Sequence, residues 1–84
     1  MPTTNQNAPA GSWAKISDDL QNVLITNKSM TTVHVYVGTA APDANSAYHD
    51  CTYDQPFGMS GIVGQDIWIR SAGTSAVSVT VTAV

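Results

Sequence analysis

The chain predicts an all-β fold, a small antiparallel β-sandwich or barrel of about six short strands behind an extended N-terminal arm. Three stretches carry that expectation. Val33, Val35 and Val37 alternate with Thr32, His34 and Tyr36 up to Gly38. Ile67 and Ile69 flank Trp68. Val77, Val79 and Val81 alternate with Ser78, Thr80 and Thr82. Successive strand side chains point to opposite faces, so β-branched residues at period two mark strands with one greasy and one polar face.

The elements follow in order. Residues 1–11 have no periodicity and mix Pro2, Pro9 and Gly11 with Thr, Asn and Ala, which is the composition of a flexible arm. The folded domain is expected over residues 12–84. Its first strand is placed at 12–16, with Ser17, Asp18 and Asp19 as a turn or with Asp18 capping one helical turn through Leu20. Residues 22–26 form the next strand, and Asn27, Lys28 and Ser29 have turn composition. Residues 31–37 are expected to return as the hairpin partner of 22–26, and 77–82 as that of 66–71 across the turn Ser-Ala-Gly-Thr-Ser. Residues 38–45 are a loop, and 48–53 a strand that Gln55, Pro56, Phe57 and Gly58 break. Gly58, Gly61 and Gly64 then punctuate the approach to the 66–71 strand.

The expected core is Ile16, Leu20, Val23, Ile25, Val33, Val35, Val37, Phe57, Ile67, Ile69, Val77, Val79 and Val81. At about 1.5–3 kcal/mol per fully buried large side chain, this set only just matches the ordering entropy of so short a chain. A small domain without disulfide or metal often finds the missing stability in a partner subunit, so a homo-oligomer is expected.

Charge is sparse: Lys15, Lys28 and Arg70 stand against six aspartates. Three scattered cations cannot neutralise a run of phosphates, which argues against nucleic acid. Charged residues make up 11% of the chain, against roughly 25% in average soluble domains. The resulting polar but weakly hydrated surface suits permanent contact with protein. The N-terminal residues have neither a basic start nor an apolar run, and no stretch approaches the roughly 20 apolar residues of a membrane-spanning helix. With one cysteine there is no internal disulfide, and synthesis in a cytoplasm is expected.

His49, Asp50 and Cys51, with His34, make a nominal zinc set. Neighbours on a strand point to opposite faces, however, so only His49 and Cys51 could share a metal, and paired Cys/His motifs of zinc-site spacing are missing. No metal or cofactor is expected. A Cys51 nucleophile would need a base and a third group to orient it, and adjacency on one strand supplies no oxyanion hole. Asp43, Asp50 and Asp54 fall in or near loops as solvated carboxylates. No catalytic residues are assigned, and the chain is not expected to be an enzyme.

The aromatics are more informative. Alternation puts Tyr36 opposite Val35 and Val37, and Trp68 opposite Ile67 and Ile69, so both leave the apolar face. Trp68 fits either an interface or the second buried face of a central strand, and Tyr36 fits an interface. With Trp13 and Arg70 they form the candidate interface. Carbohydrate stacking is the rival use of exposed rings, with Trp13, Tyr48, Tyr53 and Trp68 as its platform.

The run Trp13…Ile16…Leu20-Gln21-Asn22-Val23-Leu24-Ile25-Thr26-Asn27-Lys28-Ser29, then Val33-His34-Val35-Tyr36-Val37-Gly38-Thr39-Ala40-Ala41-Pro42, then Phe57 and Ile67-Trp68-Ile69-Arg70-Ser71, resembles small virion proteins of tailed bacteriophages. The resemblance covers about residues 13–84. It implies a β-sandwich that serves as a capsid decoration (cement) protein or a tail or head-fibre base component, often trimeric, bound to major capsid or other virion proteins, with an N-terminal arm reaching neighbouring subunits. It transfers no catalytic residue.

Overall fold

The computed structural model describes residues 3–17, 22–43, 45–60 and 65–83. It contains eight strands: β1 (Thr3–Ala8), β2 (Ala14–Ser17), β3 (Asn22–Thr26), β4 (Val33–Gly38), β5 (His49–Cys51), β6 (Phe57–Ser60), β7 (Asp66–Ser71) and β8 (Val77–Ala83). They form two four-stranded sheets, ordered β1-β8-β3-β6 and β2-β7-β4-β5, with every strand pair antiparallel. The fold is the expected all-β sandwich. Leu20, the 18–19 turn, Gly61 and Gly64 lie outside the described residues.

The period-two pattern determines what is buried. Val23, Ile25, Val33, Val35, Ile67, Ile69, Val77, Val79 and Val81 all fall in the core, joined by Ala8 and Cys51, while Ile16, Val37 and Phe57 pack against its rim. Two stacked sheets sit about 10 Å apart, so one apolar face per strand is enough to close the interior.

The pairing differs from expectation. Residues 22–26 and 33–38 are not a hairpin, because β3 pairs with β6 and β8 whereas β4 pairs with β5 and β7. Likewise β7 and β8 lie in different sheets. Segments 27–32 and 72–76 are arches that carry the chain across the core, and among the described strands only β4 and β5 are sequential neighbours within one sheet. Alternation specifies which face a strand buries; it says nothing about which strand lies beside it. Neither arch carries the two-residue Asn-Gly or Asp-Gly signature that would have demanded a hairpin.

Two strands, β1 and β6, have no counterpart in the alternation pattern. The expected arm is largely β1, whose six residues pair with β8 from Thr3↔Thr82 to Ala8↔Val77. Its side chains are mostly exposed, so main-chain pairing and the buried Ala8 hold it, which composition does not register. Gly11, at φ 80°, turns the chain from this sheet to the other, a left-handed conformation that glycine tolerates without strain. β6 hides behind Pro56 and Gly58. Gly58 pairs with Leu24, whose side chain lies over the space a Cβ would enter, with Cδ1 at 3.6 Å. The 48–53 strand shrinks to β5, followed by a tight turn in which Thr52 and Gln55 exchange two main-chain hydrogen bonds of 3.2 Å.

Asn27 fastens the arches to the core. It is 1% exposed. Its Nδ2 donates to the carbonyls of Thr31 (2.7 Å) and Cys51 (3.1 Å), and its Oδ1 accepts from the Ser29 amide (2.9 Å). The Ala72 amide donates to the Thr32 carbonyl (2.9 Å), which ties the second arch to the first. At the same end the Ser71 amide donates to the Pro9 carbonyl (2.9 Å), securing the exit from β1.

Candidate functional site

The outer face of the β2-β7-β4-β5 sheet gathers the unusual side chains. Residues pointing away from the core are Lys15 on β2, Asp66, Trp68 and Arg70 on β7, His34, Tyr36 and Gly38 on β4, and Asp50 on β5. The register arranges them in transverse rows: Lys15, Trp68 and Tyr36 in one, Arg70, His34 and Asp50 in the next. All four residues of the sequence-derived interface, Trp13, Tyr36, Trp68 and Arg70, lie on this face. His34, Tyr48 and Lys15 complete it. His34 was legible in principle, since alternation places it beside Tyr36.

Two rings from flanking segments close the face. Trp13, just before β2, lies with its ring centroid 4.3 Å from the Arg70 guanidinium carbon and 6.1 Å from the Tyr36 ring. Its indole N–H donates to the Asp43 carbonyl (3.1 Å), pinning the β4–β5 loop. Tyr48, just before β5, stacks on His34 at 3.6 Å and 15° between planes, and its ring lies 5.8 Å from the Arg70 guanidinium carbon. Arginine and aromatic rings attract each other through the negative π-face, and rigid stacking leaves the guanidinium oriented.

Gly38 shapes the same surface. A Cβ there would stand 2.6 Å from the Tyr36 ring, so the ring occupies the space a side chain would take. A slot of about 170 Å³ opens beside it, lined by Val35, Tyr36, Val37, Ala47, Tyr48 and His49. A wider depression of about 380 Å³ lies between the arches, lined by Lys28, Ser29, Thr31 and the start of β8. No aromatic ring is among its lining residues, so its size does not make it the better site.

The electrostatics are specific. Arg70 Nη2 lies 3.3 Å from His34 Nδ1. Arginine can only donate, so Nδ1 must be the unprotonated acceptor and the ring neutral. His34 Nε2 faces Asp50 Oδ1 at 4.0 Å, and Lys15 Nζ lies 3.8 Å from Asp66 Oδ2 and 5.8 Å from the Trp68 ring centroid. Burial and then the adjacent Arg70 hold the His34 pKa below the ordinary 6.5, against a smaller opposing pull from Asp50. The unfolded chain therefore takes up this proton before the folded chain does. The His34 contribution to stability is complete above pH 6.5 and declines as pH falls from there through the lower folded pKa. Urea midpoints should fall over that interval in the wild type and change less in His34→Gln; identical profiles would show that His34 is not the group responsible.

The residues that raised catalytic or metal readings are dispersed. Cys51 is fully buried, its thiol 3.6 Å from the Ile25 carbonyl, and burial pushes its pKa up, away from the thiolate a nucleophile needs. His34 lies on the opposite face of the sheet. His49 shares the Cys51 face but packs by Phe57, ring centroids 5.6 Å apart. Among the described residues no three His, Cys, Asp or Glu side chains converge on a metal position. Tyr53, expected in a sugar platform, sits on the 52–55 turn, 61% exposed.

The outer face of the other sheet is chemically different. Thr3, Asn5 and Asn7 of β1 lie beside Thr82, Thr80 and Ser78 of β8, followed by Asn22, Leu24 and Thr26 of β3. The Thr80 hydroxyl donates to Asn5 Oδ1 (3.2 Å). This surface carries hydroxyls and amides without charge, and Leu24 is half exposed on it.

No protein-family model, curated protein or solved structure matches this chain.

Proposed function

We propose that this chain is a non-enzymatic structural protein of a virion, a capsid decoration or cement module that assembles as a homo-oligomer, with a trimer as the expected state, and docks on major capsid or other virion proteins. The observation that carries this reading is the outer face of the β2-β7-β4-β5 sheet, where Trp13 lies against Arg70 and Tyr36, Tyr48 stacks on His34, and Trp68 stands beside Tyr36 in register. Tyr, Trp and Arg are the residue types that dominate interface energetics. Rigid rings lose little entropy when a partner covers them. The resemblance to small phage virion proteins supplies the particle. The mechanism is mechanical: a partner that binds only the assembled state stabilises it, by about 2.7 kcal/mol per site at 100 times Kd, and repetition over a shell multiplies the effect.

Copy number in purified virions, measured by quantitative mass spectrometry, tests the proposal. Hundreds of copies per particle are expected for decoration. A handful would move the assignment to a tail or head-fibre base, and absence from the particle would refute it. Carbohydrate binding is the second reading, favoured by three rings, Trp13, Tyr48 and Trp68, sharing one face. Saccharide-induced change in tryptophan emission would support it.

A further inference from the structure

The charges of this face are unevenly matched. Lys15 lies beside Asp66, whereas Asp50 lies beside the neutral His34. Arg70 has two rings and an imidazole nitrogen around it, but among the described residues no carboxylate forms an ion pair with it. Guanidinium has five N–H donors and no acceptor, and the His34 contact uses one nitrogen. Arg70 is also half-buried and lies against Trp13, so its donors are aimed. Two residues back on the same strand and face, the Trp68 indole N–H is buried with no acceptor among the described residues. In a chain of net charge −3, cationic and N–H donors left uncompensated side by side are an exception.

We infer that Arg70 is a receptor for a carboxylate of the docking partner, an Asp or Glu side chain of a protein, held in the planar two-pronged geometry of an arginine–carboxylate pair with Trp13 as its backing plate. The inference rests on the docking reading above. The surface around Arg70 is a sheet face, with the nearby slot lined by Tyr36 and Tyr48, and a flat aromatic surface with one aimed cation fits a protein loop better than a small acid that must be enclosed. Lys would not replace Arg here, because an ammonium has no planar fork and stacks poorly on an indole.

Two measurements test this. In the free chain, a short peptide with one Asp is titrated against its Asn counterpart at constant ionic strength while the Trp13 indole resonance, and in the wild type the Arg70 side-chain N–H, are followed. Saturable shifts are expected in the wild type, weakened in Arg70→Lys and lost in Arg70→Gln, with dispersed spectra confirming that each variant folds. No saturable shift at Arg70, or equal binding by Arg70→Lys, overturns the inference whatever the particle does. In the particle, Arg70→Gln should lower occupancy by about tenfold or more, as for an interface hot spot. Wild-type occupancy of Arg70→Gln overturns the carboxylate receptor and leaves docking intact; a wild-type chain absent from particles overturns the docking reading itself and this inference with it.

Discussion

Asn27→Ala is expected to remove a large share of the domain's stability and to lower its urea midpoint accordingly. The substitution removes the donor to two carbonyls, on Thr31 and Cys51, and the acceptor for the Ser29 amide, all in or beside a site that is 1% exposed. Each net hydrogen bond is worth about 0.5–1.5 kcal/mol, and a buried group left unpaired costs about 1–3 kcal/mol. A loss of about 3 kcal/mol or more is expected. At roughly 0.05–0.15 kcal/mol per residue, the whole domain has a stability in the range of about 4–12 kcal/mol, so the loss is a large share of it. Asn27→Asp, which turns an oxygen toward the Thr31 and Cys51 carbonyls and buries a carboxylate, should be at least as damaging. Urea unfolding measures this directly. A change below about 1 kcal/mol would mean that the arches are held independently of Asn27.

Removing residues 1–11 is expected to cost stability and solubility together. Main-chain pairing along β1, the buried Ala8 and the Ser71-to-Pro9 hydrogen bond disappear, with a loss of about 3 kcal/mol from the ladder alone. β8 then becomes a bare edge seven residues long, rich in valine and threonine and without charge, which is the profile of a strand that recruits another chain. Thermal unfolding should shift down, and light scattering should show mass growing with time. The composition of this segment points the other way, to an arm whose loss spares the fold. An unchanged melting temperature and an unchanged mass would restore that view.

The contrast shows what a sequence of this kind exposes. Burial was legible because Val33, Val35, Val37, Ile67, Ile69, Val77, Val79 and Val81 each sit at period two, and that periodicity is a property of a single strand. Pairing was not legible. It depends on which apolar faces meet across the core, and arches 27–32 and 72–76 read as ordinary turns. β1 escaped notice because hydrogen bonds to β8 stabilise it and its side chains contribute little. For the site, alternation put Tyr36 and Trp68 outside the core, and the structure brings Trp13 and Arg70 to them. Sequence alone could not show that Trp13 and Tyr48, from the segments before β2 and β5, fold over Arg70 and His34, since those contacts join residues far apart in the chain.

A docking partner is expected to cover the aromatic face. Hydroxyl-radical footprinting of the free chain and of the chain on purified particles measures this side chain by side chain. Tyr48 is 45% exposed and stacks on His34 of the aromatic face, and Tyr53 is 61% exposed on the 52–55 turn. The prediction is strong protection of Tyr48 and Trp13 in the particle with Tyr53 oxidised as in the free chain. Protection of Tyr53 while Tyr48 and Trp13 stay as reactive as in solution would contradict it and place the contact elsewhere on the molecule.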